Sequence, residues 1–160
     1  MEVSKKGVFM DLYSYITGFV DGEGCFSVSF SRRQKMNFGI EVRPSFAVSQ
    51  HKRNYEVIAL LSKHFDCGGI RFSRNDQNYK FEVRNLSKIL SNIIPHFDQF
   101  PLLTSKKNDF LLFREICFLM KRNLHVNRDG LMKIINIAYE MNESGKRKYA
   151  KDELLKYVVR

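Results

Sequence analysis

Residues 11–24 read DLYSYITGFVDGEG, and this stretch decides the fold. Apolar side chains recur at helical spacing until two glycines interrupt the run, which predicts a helix over residues 11–22. Small and short polar side chains recur every three or four residues and therefore share one helix face. They are Ser14, Thr17, Gly18, Asp21 and Gly22. Since small residues in this register let two helix backbones approach closely, the helix has two expected partners, its own core and a second helix.

The second helix of this contact is expected from another copy of the chain, because the sequence contains one such segment. A two-fold interface through Ser14, Thr17, Gly18 and Asp21 is the simplest arrangement. The alternative is that this face packs against another part of the same chain. Both remain open from the sequence.

Two acidic residues, Asp21 and Glu23, lie at the end of this helix. A two-fold pairing would bring both copies of Glu23 near the axis, where the carboxylates repel each other unless a divalent cation lies between them. Mg²⁺ suits such oxygen ligands and retains several waters. Because a bound metal activates water and stabilises a leaving oxygen, this arrangement predicts hydrolysis of a phosphodiester.

The rest of the chain alternates between strand and helix patterns. Strands are predicted at 25–31, 40–49, 70–73 and 79–84, and helices at 55–65, 86–94, 104–120, 130–141 and 153–159. Asn54 and Thr104 are the expected N-caps, and Pro95 is the expected end of the helix at 86–94. The order αββαββα, with extra C-terminal helices, predicts an α+β fold in which helices back one face of an antiparallel sheet.

One face of the predicted sheet is polar and basic, because hydrogen-bonding side chains alternate with apolar ones along each strand. This face comprises Ser27, Ser29, Ser31, Glu41, Arg43, Ser45, Arg71, Ser73, Lys80, Glu82 and Arg84. Arg32, Arg33 and Lys35 extend the positive charge into the loop after the first strand. Such groups bind base edges and phosphates, which favours nucleic-acid binding over the alternative, an ordinary solvated sheet face.

The composition agrees with a nucleic-acid partner and argues against other classes. Lys and Arg number 27 against 17 Asp and Glu, a net charge of +10, which favours a polyanion over a small-molecule substrate. The length predicts one domain over residues 1–160. The stretch 110–120 is interrupted by Arg114 and Glu115, so no membrane span is expected. Residues 1–10 lack the apolar core of a signal peptide, and the three scattered cysteines suggest reduced thiols, so we expect an intracellular protein.

Residues 15–24, YITGFVDGEG, resemble the LAGLIDADG motif of homing endonucleases. The predicted element order is similar to the αββαββα core of that family, and the likeness covers nearly the whole chain. One motif in 160 residues resembles the homodimeric branch, whereas monomeric members carry two. Ile16-Thr17 stands where Leu-Ala is common, and Glu23 stands where the name of the motif has Asp.

The resemblance implies site-specific cleavage of a long, pseudo-palindromic double-stranded DNA target, with a staggered break that leaves short 3′ overhangs. It implies Mg²⁺, for which Mn²⁺ or Ca²⁺ can substitute, bound by Glu23 with help from the backbone carbonyl of Gly22. Gln50 and Lys106 are the other implied catalytic residues, and Lys107 is the alternative to Lys106. The protein would act beside its host DNA, in a bacterial or archaeal cytoplasm or an organelle.

Further DNA contacts are implied outside the sheet face, at Arg53 and in the C-terminal segment Lys146-Arg147-Lys148. For that segment the alternative is a flexible basic linker. For Lys106 the alternative is an ion pair with Asp109, three residues further along the same helix. Asp21 is implied to be mostly structural, near the helix crossing.

Two other functions stay open at this point. The first is a non-cleaving nucleic-acid-binding protein on the same scaffold, either an intron RNA maturase or a transcription regulator. Loss of the metal-binding carboxylate would favour it, and Glu23 is present. The second is one part of a two-motif monomer, which would sediment as a single chain even with DNA.

Overall fold

The structure is a computed structural model that describes residues 11–142 and 145–159. The segment 1–10, for which the sequence predicts no export signal, lies outside these residues. The elements are α1 (Leu12–Glu23), β1 (Gly24–Arg32), β2 (Ile40–His51), α2 (Tyr55–Phe65), β3 (Gly69–Ser73), β4 (Asn78–Val83), α3 (Leu86–Lys88), α4 (Ile94–Gln99), α5 (Lys106–Lys121), α6 (Arg128–Ala138) and α7 (Lys151–Val159). This order confirms the α+β class, with an αββαββα arrangement followed by further helices.

The four strands form one antiparallel sheet in the order β1-β2-β4-β3. Side chains alternate between its two faces, so Phe26, Val28 and Phe30 are buried while Ser29 is exposed. Helices α1, α2 and α5 pack on the apolar face. The opposite face is the polar one, which follows from strand periodicity as predicted.

Aromatic side chains join the sheet to the helices. The ring of Phe26 in β1 lies 5.1 Å from that of Phe46 in β2 and 5.4 Å from that of Phe97 in α4, and all three side chains are buried. Truncating such a core ring to alanine typically costs about 3–5 kcal/mol of stability. This cluster therefore fixes the sheet against the helices that carry the site.

Helix α1 runs into β1 without a loop. The carboxylate of Asp11 caps the helix by accepting hydrogen bonds of 3.2 Å from the backbone N–H groups of Tyr13 and Ser14. At the other end, a Cβ on Gly24 would lie 2.5 Å from Cγ1 of Val20, so the tight junction needs glycine. The helix ends at Glu23, one residue later than predicted, and this places the Glu23 carboxylate where the helix meets the sheet.

The prediction that Pro95 ends the helix begun at residue 86 is wrong. A π-helical turn, Ile89–Ile93, follows α3, and the chain continues as α4 through Pro95 to Gln99. The N–H of Ile94 bonds to the carbonyl of Ile89, one residue further back than in an α-helix. Pro95 thus lies in the first turn of a new helix, where proline is tolerated because its missing N–H has no required partner.

Candidate active site and nucleic-acid interface

The carboxylate of Glu23 is exposed at the end of α1 and is held by one side chain of β2. Nε2 of Gln50 donates a hydrogen bond of 3.0 Å to Oε2 of Glu23. Oε1 of Gln50 in turn accepts a 3.0 Å bond from Nδ2 of Asn54. Asn54 stands at the N-cap position of α2 as predicted, although its side chain makes no capping hydrogen bond to that helix. The three side chains form a line that orients the carboxylate.

Lys106 lies against the same helix end. Its Nζ donates a 3.1 Å hydrogen bond to the carbonyl of Val20, in the last turn of α1. Asp109, the alternative partner, instead accepts a 2.9 Å bond from the backbone N–H of Asn142. Lys107 is exposed on α5. Of the two candidate lysines, Lys106 is therefore the one directed to the end of α1 that bears Glu23.

Asp21 holds the segment that precedes α5. Its carboxylate accepts hydrogen bonds from the N–H groups of Leu103 (2.9 Å) and Thr104 (3.1 Å), and from the Thr104 hydroxyl at 2.6 Å. Burial alone would raise the pKa of Asp21, but these bonds and the charge of Lys106 outweigh it and lower the pKa. The Thr104 hydroxyl also accepts a 3.3 Å bond from the N–H of Lys106, although the N-cap position of α5 is Ser105 and not Thr104 as predicted. Asp21 thereby sets where α5 and its lysine begin.

The residues at this helix end suit a divalent cation that prefers oxygen. Glu23 presents an exposed carboxylate, and Gly22 lies in the last turn of α1, where backbone carbonyls lack helical partners. In the described part of the chain, no three His, Cys, Asp or Glu side chains come together as a ready ligand set. A metal at Glu23 would thus need water, a nucleic-acid phosphate or a second chain to complete its coordination.

The sheet pairing brings the predicted polar residues of the open face together. Ser27 lies opposite Ser45, Ser29 opposite Arg43, and Arg71 opposite Lys80. Other residues of this face were missed in the sequence because their side chains are less polar or lie at a strand end: Cys25, Ala47, Ser49 and His51. The alternation along each strand was the signal that could have identified them. A groove on this face runs from Glu23 past Ser27 and Ser45 to Glu82.

Two of the predicted DNA contacts bind other parts of their own chain. Arg32 forms an ion pair of 2.5 Å with Glu153, and its guanidinium lies 5.0 Å and 5.1 Å from the ring centres of Tyr149 and Tyr157. It therefore docks α7 onto the end of β1. Arg32 is the last residue of β1 and not part of the loop, and its side chain remains 44% exposed. Its contact with DNA stays a prediction.

Arg147 is the second predicted DNA contact that binds its own chain. Its guanidinium donates hydrogen bonds to the backbone carbonyls of Val28 (3.0 Å), Met141 (3.4 Å) and Ala138, and it lies 4.5 Å from the ring centre of Tyr139. It thus ties the C-terminal segment to the outer edge of β1. This position does not support the predicted DNA contact.

The other predicted cations are exposed, although several have partners. Lys35, Arg53, Lys146 and Lys148 lie at the surface, and Ser73 closes the exposed end of β3. Arg33 and Arg43 pair with Glu41, and Arg71, Lys80 and Arg84 pair with Glu82. The open face is therefore a network of cations around two carboxylates.

The small-residue face of α1 divides into two parts. Thr17 is buried, with its hydroxyl 3.0 Å from Nε2 of His96. Asp21 is half-buried, and its carboxylate is engaged by the hydroxyl of Thr104 in the same chain. Ser14, Gly18 and Gly22 remain exposed, and a Cβ on either glycine would meet nothing within 4 Å. Beside them, Leu103 is 88% exposed. The exposed stripe of α1 therefore consists of Ser14, Gly18 and Gly22, and it is narrower than the predicted small-residue face.

Comparison with known proteins agrees with this geometry. The LAGLIDADG endonuclease family profile matches residues 16–117, which include most of α1, the sheet and most of α5. The chain therefore belongs to the LAGLIDADG endonuclease family. Among the described residues, no helix combines the length and the apolar character needed to cross a membrane.

Individual relatives are similar over most of this chain. Probable intron-encoded endonuclease 2 of Neurospora crassa is 31% identical over 130 residues, which is 81% of this chain and 29% of that protein. The crystal structure of the homing endonuclease I-TnaI has 39% identity and a TM-score of 0.80, and the match covers 94% of this chain and 98% of that one. The archaeal intron-encoded homing endonuclease I-Vdi141I, complexed with DNA, has 28% identity and a TM-score of 0.85 over 92% and 94%.

The lengths differ among the relatives. The chain spans between 24% and 47% of the length of four curated relatives, the Neurospora protein included. It covers nearly the whole of the I-TnaI chain.

Proposed function

We propose that this protein is a homing endonuclease that cuts both strands of a long, pseudo-palindromic DNA site and leaves a staggered break. The observation that carries the proposal is Glu23, an exposed carboxylate oriented by Gln50 at the margin of a cation-rich sheet face. Relatives of the same fold are named homing or intron-encoded endonucleases, and one is complexed with DNA. The protein would act where its host DNA lies.

The sheet face supplies the binding surface in this proposal. An antiparallel sheet that is covered by helices on one face and open on the other fits the major groove of DNA, where its side chains reach base edges. Serine, lysine and arginine side chains on this face can contact bases and phosphates. The exposed cations Arg53, Lys146 and Lys148, with Lys35 at the loop, would contact the flanking backbone.

A divalent metal completes the active site in this proposal. Glu23 and the backbone carbonyl of Gly22 would hold Mg²⁺, or Mn²⁺ or Ca²⁺ in its place. When bound, the metal stabilises negative charge on the phosphodiester and lowers the pKa of its water. Gln50 keeps the Glu23 carboxylate in one orientation, and Lys106 keeps a positive charge beside the same helix end. Asp21 fixes the start of α5 and so the position of Lys106.

A second copy of the chain would supply the other half of the site. The exposed stripe Ser14, Gly18 and Gly22 leaves room for close approach of a two-fold related α1. Leu103, at 88% exposure, would become buried beside that contact. Each sheet would then read one half-site, which is why a pseudo-palindromic target is expected.

Cleavage assays test the proposal. The wild type and Glu23→Gln are incubated with Mg²⁺ and a library of long duplexes that includes the uninterrupted host junction. Only the wild type should cut, and Glu140→Gln, an exposed carboxylate outside the sheet, serves as the charge-matched control. Equal cutting by the wild type and Glu23→Gln would refute the assigned role of Glu23. Tight binding of intron RNA without any DNA cleavage would instead favour a maturase.

A further inference from the structure

Glu82 is the centre of a cluster on the open sheet face. Its Oε1 accepts hydrogen bonds from the Ser45 hydroxyl (2.9 Å) and from Nζ of Lys80 (3.0 Å), and it lies 3.2 Å from Nε of Arg84. Its Oε2 accepts a bond of 2.5 Å from Arg71. One carboxylate thus holds three cations, which come from β3, from β4 and from the residue just after β4.

The cluster is layered, with the acid below the cations. The side chain of Glu82 is 8% exposed, whereas those of its cationic partners are 40–64% exposed. Ala47 and Gly69 flank Glu82 on the neighbouring strands, so small residues leave space for its carboxylate to lie low on the sheet. The cations therefore present their outer sides to a bound partner, and the acid does not.

This layering excludes Glu82 as a direct reader of bases. A glutamate that reads DNA accepts a hydrogen bond from the exocyclic amine of cytosine and needs an accessible oxygen for it. Both oxygens of Glu82 are already engaged and covered. Burial alone would raise the pKa of Glu82, but the bonds from Lys80 and Ser45 and the charges of Lys80 and Arg84 lower it to about 2. The group is an anion at neutral pH.

A similar arrangement, with all of its partners on one carboxylate oxygen, lies near the loop end of β1 and β2. Oε2 of Glu41 accepts hydrogen bonds from the Ser31 hydroxyl (3.0 Å) and from Nε of Arg43 (2.8 Å), and it lies 2.9 Å from Nε of Arg33. Its side chain is 21% exposed, less than those of both arginines. Two carboxylates with serine and cation partners therefore organise two separate parts of one face.

We propose that Glu82 and Glu41 are positioning residues for DNA specificity: each fixes the directions of its cations towards the base edges and opposes binding to DNA of any other sequence. The inference rests on the proposed function, because it assigns these roles within DNA recognition by the sheet face. A cation held by a carboxylate has few orientations and reaches a limited set of partners. A released lysine or arginine is flexible and binds any phosphate, which raises affinity without sequence information.

Binding measurements with Glu82→Gln test this inference. For the variant, the affinity for a non-target duplex should rise, and the ratio of target to non-target affinity should fall about ten-fold or more. The plot of log affinity against log salt should steepen by about 0.9 for each additional phosphate contact made by a released cation. Duplexes with single substitutions should show relaxed preference at several adjacent base pairs, since three cations are released together.

Glu115→Gln is the matched control. Glu115 forms a 3.2 Å ion pair with Lys133 on the helix layer, so this variant loses the same negative charge, with one ion pair where Glu82→Gln loses three. It should leave the affinity ratio unchanged. Unfolding curves of all variants show whether Glu82→Gln folds. Glu41→Gln repeats the binding measurement at a second position, and its preference should relax at a different set of base pairs.

Three outcomes would overturn the inference. Relaxed preference at a single base pair would make Glu82 a direct reader, and an unchanged ratio with lower stability would make it a structural residue only. A wild type that prefers no duplex would remove both this inference and the proposed function. A wild type that selects a target without cutting it would contradict the proposed function alone, and the comparison of variants would still decide this inference.

Discussion

The amide of Gln50 lies 3.0 Å from the carboxylate of Glu23, although 27 residues separate them in the chain. The contact joins the end of β2 to the end of α1, where the polar sheet face begins. It leaves Glu23 exposed and fixes the direction of its carboxylate. The orientation of the candidate metal ligand therefore depends on one neutral side chain.

Gln50→Ala should reduce cleavage while the fold stays intact. Loss of a residue that orients a metal ligand typically costs roughly 10–100-fold in metal affinity or activity. Cleavage rates measured over a range of Mg²⁺ concentrations would show a shift to higher metal requirement. Asn54→Ala removes the next bond in the line and should have a smaller effect of the same kind. An unchanged Mg²⁺ requirement in Gln50→Ala would contradict the role of this contact.

Gly18→Leu should separate folding from dimer formation. A Cβ at Gly18 meets nothing within 4 Å in the chain, and leucine forms helix better than glycine by roughly 0.5–1 kcal/mol. The free energy of unfolding at low protein concentration should therefore be maintained or rise. Sedimentation should show weaker self-association, because the larger side chain blocks close approach of a second α1. Association equal to that of the wild type would place the subunit contact elsewhere.

Arg147→Lys should destabilise the protein although the charge is kept. Lysine cannot bond to β1 and to the end of α6 at once, so buried carbonyls such as that of Val28 lose their donor. The expected loss is about 1–3 kcal/mol in the free energy of unfolding, measured by urea denaturation. Lys146→Ala, an exposed cation one residue earlier, should weaken DNA binding with little effect on stability. Weaker DNA binding without a loss of stability in Arg147→Lys would instead support Arg147 as a DNA contact.

Stability should fall on mild acidification because of His96. Burial, and then the neighbouring His64, lowers the pKa of His96 to about 4 from the ordinary value of 6.5. The unfolded chain therefore binds the proton more readily than the folded one, so stability is complete above pH 6.5 and declines as the pH falls towards about 4. The slope for one such group is at most about 1.4 kcal/mol per pH unit.

Unfolding experiments between pH 7 and pH 4 check this expectation. His96→Asn should be less stable than the wild type at pH 7, because Thr17 and His64 lose their partner, yet its stability should vary less with pH. His51→Asn is the control, since that ring lies at the end of β2 and outside the core. Parallel pH curves for the wild type and His96→Asn would rule out His96 as the source.

Local patterns in the chain were enough to predict the class of fold and the two faces of the sheet. Strand side chains alternate by geometry, so the placement of Ser27 and Ser45 outwards, with Phe26 inwards, follows from the order of residues alone. The position of Glu23 at the end of the first helix also follows from the order of residues, because two glycines flank it there. The family resemblance implied a catalytic role for Gln50, and no local pattern indicated its 3.0 Å contact with Glu23.

Long-range contacts determined the rest, above all the use of each charged side chain. Arg147 bonds to Val28 from 119 positions away, and Arg71 of β3 reaches across the sheet to Glu82 of β4. Long cationic side chains reach whichever carbonyl or carboxylate the packed fold brings near them, and no local periodicity records that choice. Helix and strand identity arise from neighbours in sequence, whereas the division of cations between the protein interior and the open face arises only when distant segments pack together.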